Sequence, residues 1–145
     1  MCQDRRCQLT AKNYAILEAL LEKSILRADS LVPLLRRKLK TSTVRLWDGI
    51  PPDIVTLYSR IVYRIGCGLS ESRIVVHSEE SSVVGLTLPL TTQRGLALLG
   101  LAAGQTTTAQ RPDGSVEIIW LEAVAYQPEA ARREHSGNNG SAPQS

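Results

Sequence analysis

The chain has 145 residues, a mass of 15.9 kDa, 43% hydrophobic content and a formal charge of +3. That length gives one modest domain or a domain with an appendage, able to bury about 70% of its unfolded surface without a metal or disulfide staple. With no Phe and 4% aromatics the core is aliphatic, which disfavours a deep aromatic-lined pocket, and no apolar run approaches the roughly 18 residues of a membrane span. The charge is divided. Residues 1–47 hold 10 Lys/Arg against 4 Asp/Glu, and the remainder holds 7 against 10. A basic start on an acidic body fits a docking polarity, and equally a solvated helix face. Cys2, Cys7 and Cys67 are an odd set with no secretory signal ahead of them, so a reducing cytoplasm is expected.

In chain order, "CQLT" reads as an edge strand after a frayed start. "AKNYAILEALLEKS" puts Tyr14, Leu17, Leu20, Leu21 and Ile25 at helical spacing behind Thr10 as the cap. "LRADS" breaks the pattern, and "LVPLLRRKLK" resumes it through Leu31, Leu34, Leu35 and Leu39, with Asp29 or Ser30 capping and Pro33 in the first turn. Two short helices joined tightly predict an antiparallel hairpin over 1–47. "TSTVRLWDGIPPDI" is a linker, because Asp-Gly and Pro-Pro cannot continue a helix. The period then becomes two. "IVTLYSRIVYRI", "RIVVHS", "VVGLTLPL", "QTTTAQ" and "VEIIWLEAVAY" read as strands, the last two joined by the hairpin turn "RPDGS". The fold class is therefore α+β, a short helical hairpin followed by an antiparallel sheet with one short helix at Arg94–Leu99. The body spans 48–127, and 128–145 is expected to be a disordered tail.

The stretch "TTQRGLALLGLAAGQ" has the Gly95-x-x-x-x-Gly100 spacing of a phosphate loop but continues with Leu101 and Ala102, where that motif needs Lys and Ser/Thr. It is read instead as a short helix capped by Thr91 or Thr92, with Leu96, Leu98 and Leu99 on the sheet and glycine exits at Gly100 and Gly104. His77 and His135 lack metal-spaced partners, and no nucleophile motif is present. No catalytic residue, metal or cofactor is expected, and the chain reads as a non-enzyme.

"RGLALLGLAAGQ" followed by "RPDGSVEIIWLEAV" resembles the C-terminal domain of the bacterial Gre transcript-cleavage factors, matching at Gly95, Ala97, Leu98, Leu99, Gly100 and Gly104. "PPDIVTLYSRIVYR" and "AYQPEAA" are closer to the Gre-like regulators of nucleoside diphosphate kinase (Rnk), in which a shortened hairpin precedes the same domain. The resemblance runs from about Leu9 to Ala131. It implies a sheet-plus-helix fold like that of FK506-binding proteins, and docking on RNA polymerase at the rim of its secondary channel. Gre factors insert a long coiled coil whose acidic tip recruits magnesium for RNA cleavage, and Rnk-type proteins look like competitors for that dock. Kinase regulation is implied by the family name alone. The resemblance puts Thr92, Gln93, Arg94 and Gly95 in the polymerase-facing loop, although Thr92-Gln93 replaces the Ser-Pro of the Gre pattern and Gln105 replaces an Asp.

The hairpin tip argues against cleavage. It offers Asp29 as its one carboxylate, beside Arg27 and Lys23, whereas magnesium recruitment needs at least two. A helix over 11–24 would reach about 21 Å, far short of a Gre hairpin. Arg36, Arg37, Lys38 and Lys40 form the candidate basic patch. Any contact it makes with nucleic acid should be weak, non-specific and salt-sensitive, since no aromatics interleave it. A basic nucleic-acid-binding module and a peptidyl-prolyl isomerase are the alternatives to polymerase docking.

Overall fold

The computed structural model describes residues 7–78 and 83–141. Strand β1 (Gln8–Thr10) runs directly into helix α1 (Ala11–Leu26), and Thr10 caps it by accepting the Asn13 N–H at 3.0 Å on its hydroxyl oxygen. Leu17 and Leu20 turn inward as their spacing predicts, whereas Ile25 is 47% exposed. The buried stripe also takes in Asn13, whose Oδ1 accepts the Leu57 N–H at 3.1 Å and so satisfies a buried backbone group. The N-cap position of helix α2 (Val32–Thr41) falls one residue beyond Ser30, the later of the two expected caps. That position is Leu31, and Asp29 Oδ1 accepts the N–H of that residue at 3.0 Å, an Asx-type turn in place of a helix cap.

The expected linker begins as a strand. β2 (Thr43–Arg45) pairs in parallel with β1, and the Thr43 N–H donates to the Cys7 carbonyl at 2.9 Å. The main sheet contains β3 (Arg60–Ile65), β4 (Ser70–Val76), β5 (Thr87–Pro89), β6 (Thr106–Gln110) and β7 (Val116–Tyr126), in the order β5-β4-β3-β7-β6. It is mixed and not antiparallel throughout, because β5 lies parallel to β4. The strand expected over 54–65 is confined to its second half. Residues Ile54–Ser59 run irregularly through the core, where the hydroxyls of Thr56 and Ser59 bond each other and Ser59 Oγ accepts the Thr56 N–H. Their backbone groups find distant partners: Val55 N–H on Leu101 at 2.9 Å and Tyr58 N–H on Val75 at 2.7 Å.

Helix α3 (Gln93–Leu98) is capped by Thr92, as expected, and lies against β5 and β6. It ends at Gly100, whose φ of 88° belongs to the left-handed region, with Gln8 N–H bonded to its carbonyl. The disordered-tail expectation is corrected for 128–141. Helix α4 (Pro128–Ser141) forms there, with Gln127 Oε1 accepting the Ala130 N–H and Gln127 Nε2 donating to the carbonyls of Pro51 and Ile54 at 2.8 Å each. Glu129 accepts from Thr56 Oγ1, Arg133 donates to the Trp47 carbonyl, and Arg132 stacks on the Trp47 ring 4.0 Å from its centroid. Composition alone suggests solvation there; these specific anchors override it.

One hydrophobic cluster joins the layers. Leu17 and Leu20 of α1, Leu31 and Leu35 at α2, and Leu96, Leu98 and Leu99 at α3 pack with Ile61, Tyr63, Val75, Ile119 and Leu121 of the sheet. Alternation on β7 sends Glu117, Ile119 and Leu121 into this side and leaves Val116, Ile118 and Trp120 exposed on the other.

Candidate functional site

The turn into α3 places four residues for four different reasons. Thr92 accepts the Gly95 N–H at 3.1 Å and donates to the Pro89 carbonyl at 2.7 Å, so its hydroxyl stitches β5 to α3. Gly95 is buried with its Cα against that same Pro89 carbonyl, where an added Cβ would overlap backbone. Gln93 reaches across to donate to the Ser30 carbonyl at 3.3 Å. Arg94 turns toward the sheet and grips Glu117 with Nε at 2.5 Å and Nη2 at 3.1 Å. The four residues expected to face the polymerase are therefore divided: Thr92 and Gly95 build the turn, while Gln93 and Arg94 reach out from it to line, with Thr92, a cavity of about 640 Å³.

Glu117 organises that cavity. Its side chain is only 3% exposed, and Arg111 joins Arg94 on it through Nε at 3.1 Å. The Arg94 hydrogen bonds hold the Glu117 carboxyl below the usual carboxylate range against the opposing effect of burial, and Arg111 adds to the shift. The same contact raises the Arg94 guanidinium. Both arginines remain open on their outer side, with side-chain exposures of 42% and 49%. Arg111 is positioned by the β6–β7 turn, in which Asp113 Oδ1 accepts both the N–H and the hydroxyl of Ser115. Sequence reading missed Glu117 and Arg111. The signal was present: in "VEIIWLEAV" Glu117 shares the inward phase with Ile119 and Leu121, and an inward carboxylate needs a cationic partner.

The basic patch is broken by Lys38, which is 5% exposed. Its Nζ donates to the carbonyls of Ala97 at 3.1 Å and Leu99 at 2.5 Å, and meets Cys7 Sγ at 3.6 Å. It therefore satisfies carbonyls at the C-terminal end of α3, where a helix leaves acceptors unpaired and favours positive charge. Burial lowers its pKa, with the Cys7 contact opposing. Arg36, Arg37 and Lys40 are exposed as expected. At the α1–α2 turn Arg27 is exposed, and Asp29 holds the Leu31 N–H beside Ala28 at a φ of 53°. Among the described residues no group of three or more His, Cys, Asp or Glu is placed to hold a metal, and Cys7 and Cys67 are unpaired. Cys2 lies outside the described residues. No described helix is long and apolar enough to cross a membrane.

No family model matches the chain. Over 85 residues it is 31% identical to the regulator of nucleoside diphosphate kinase of Escherichia coli K12, covering 58% of this chain and 62% of that protein. The match to the regulator of nucleoside diphosphate kinase of Shigella flexneri has the same extent. The chain thus matches about three-fifths of the length of these curated relatives. Among solved structures, the prokaryotic transcription elongation factor GreA/GreB from Nitrosomonas europaea superposes with a TM-score of 0.67 at 25% identity, over 83% of this chain and all of that one. The chain has a Gre-like fold and is similar in sequence to the Rnk regulators. In this Gre-like chain, the turn into α3 that carried the sequence resemblance is the one built around Thr92 and Gly95.

Proposed function

We propose that this Gre-like chain is a transcription regulator that docks on RNA polymerase at the rim of the secondary channel and does not stimulate transcript cleavage. The observation that carries this reading is the superposition on a GreA/GreB elongation factor along that protein's whole length, supported by the Rnk relatives. In this reading α1 and α2 are the shortened counterpart of the Gre hairpin, and the sheet with α3 is the FK506-binding-protein-like docking domain. The exposed side of the α3 turn, with Gln93 and Arg94, meets the polymerase.

The α1–α2 turn supports the absence of cleavage in this reading. Its one carboxylate, Asp29, already accepts a backbone N–H and stands near Arg27, a poor setting for a hydrated divalent cation. Helix α1 has 16 residues, a span of about 24 Å. The chain acts by occupying the dock.

The test is binding to core polymerase with and without a Gre factor. Retention on the polymerase that falls as the Gre factor is added is the expected result. No retention at micromolar concentrations, or retention indifferent to a saturating Gre factor, overturns the reading.

A further inference from the structure

We infer that the groove beside Arg94 and Arg111 is a receptor for carboxylate side chains on an acidic segment of a protein partner. The inference deepens the docking reading above and rests on it for the identity of the partner, but not for the chemistry of the groove.

Three observations carry it. First, the two guanidiniums share a single carboxylate. Glu117 occupies both Nε atoms and one Nη of Arg94, and among the described residues no other carboxylate pairs with either arginine. Glu71 acts on Arg94 and Asp113 on Arg111 through space without an ion pair, and the half-exposed outer edges of both guanidiniums line the 640 Å³ cavity. Second, the fork is rigid. A guanidinium whose inner edge is fixed on a buried carboxylate presents its outer N–H groups in a set direction, which lowers the ordering cost of binding a planar anion. Third, the cavity continues. A neighbouring hollow of about 240 Å³ shares Ser30, Gln93 and Gln110 with the first and adds Arg37 beside Pro33, Leu34 and Val116. The combined groove joins the Arg94–Arg111 end to an apolar strip that holds Arg37, and Glu117 is its one acidic lining residue.

That combination of cationic and apolar lining selects the occupant. Neither hollow is lined by a Tyr or Trp on which a base could stack, and three arginines, two of them sharing Glu117, give little purchase on a phosphate backbone. A free phosphate would use the fork and ignore the apolar strip. A peptide segment with acidic residues flanking an aliphatic one uses both.

The test uses the full chain in two arms. In the first, a labelled peptide Glu-Leu-Glu-Glu-Leu-Glu is titrated by anisotropy, with its Lys-for-Glu counterpart, inorganic phosphate and a single-stranded oligonucleotide as competitors. In the second, core polymerase is captured at rising salt. Arg111→Gln is the principal variant, because Arg94 still neutralises Glu117. Arg37→Gln is the second, because Arg37 forms no ion pair among the described residues. Each should weaken peptide binding about fivefold or more, with the unfolding midpoint held nearly constant and affinity falling as salt rises. Peptide binding that depends on Arg111, with no capture of polymerase, keeps the groove and removes the polymerase reading. Polymerase captured equally by wild type and both variants at every salt concentration removes the groove and keeps the polymerase reading. An oligonucleotide that displaces the peptide more strongly than unlabelled peptide overturns the acidic-protein assignment in favour of nucleic acid. Phosphate competition at concentrations matching the peptide's own affinity reduces the site to a simple anion pocket.

Discussion

Glu117 and Lys38 are each buried charges answered by partners from a different element. Glu117 takes two arginines from α3 and the β6–β7 turn, and Lys38 takes two carbonyls at the end of α3. Glu117→Gln leaves both guanidiniums without their counter-charge, and because they are half exposed the loss should be about 2 kcal/mol, read as a lower unfolding midpoint. The pH dependence has a definite sign. Glu117 is depressed in the fold, so its contribution is complete above its unfolded value of about 4.3 and is lost as pH falls through the lower folded value. Acid unfolding of wild type should be steeper below about pH 4 than that of Glu117→Gln. Lys38→Met fills similar space but strands two carbonyls, and a loss of about 2 kcal/mol by denaturant titration is expected, with Arg36→Met within about 0.5 kcal/mol of wild type. Lys38 was legible only as a basic residue. Its spacing from Leu31 and Leu35 places it on the buried stripe, but the carbonyls that reward burial come from α3, some 60 residues on, and no local pattern announces them.

At the scale of elements, helices α1 to α3 and the β6–β7 hairpin were legible because their signals are local: Thr10 and Thr92 as caps, three- and four-residue spacing in α1 and α2, and the Pro-Asp-Gly turn. The segment 54–59 misled because its β-branched and aromatic residues look like a strand, whereas the Thr56–Ser59 hydroxyl pair and Asn13 tie it into an irregular path. The parallel placement of β5 is a matter of topology and leaves no mark in the alternation of residues. Helix α4 escaped for a related reason, since Trp47, Thr56 and Pro51, which hold it, come from the other half of the chain. One prediction belongs here. Gly95→Ala places a methyl group on the Pro89 carbonyl, so α3 must move away from β5. A loss of about 1–3 kcal/mol is expected, together with weaker polymerase retention because Gln93 and Arg94 move with the helix. An alanine variant as stable as wild type would show that the contact relaxes freely.

For the whole molecule, the shared hydrophobic cluster makes the helical pair and the sheet one packed body. A short, packed helical pair cannot be expected to extend into an enzyme's channel. In a stalled elongation complex, wild type and Asp29→Ala should both fail to stimulate RNA cleavage, and both should inhibit a Gre factor, with half-inhibition rising as the Gre concentration rises. Cleavage accelerated by wild type and abolished in Asp29→Ala would assign the turn a catalytic role. The Arg94-Glu117-Arg111 cluster was only partly visible in sequence, since the resemblance marked Arg94, the alternation of β7 marked Glu117 as inward, and nothing local marked Arg111.

The parallel pairing of β1 with β2 has an evolutionary consequence. Chain entering α1 and chain leaving α2 run in neighbouring strands, about 4.8 Å apart in such a ladder, so everything between Thr10 and Thr43 is a closed excursion from a fixed base. An excursion of that kind can be lengthened or trimmed at its far end, around residues 27–31, while the ladder, the Gly100 exit and the Arg94 fork keep their places. The length of the helical pair and the arrangement of the sheet and α3 then become independently heritable traits. Lineages can lengthen or shorten the helical pair through insertions and deletions confined to one exposed turn.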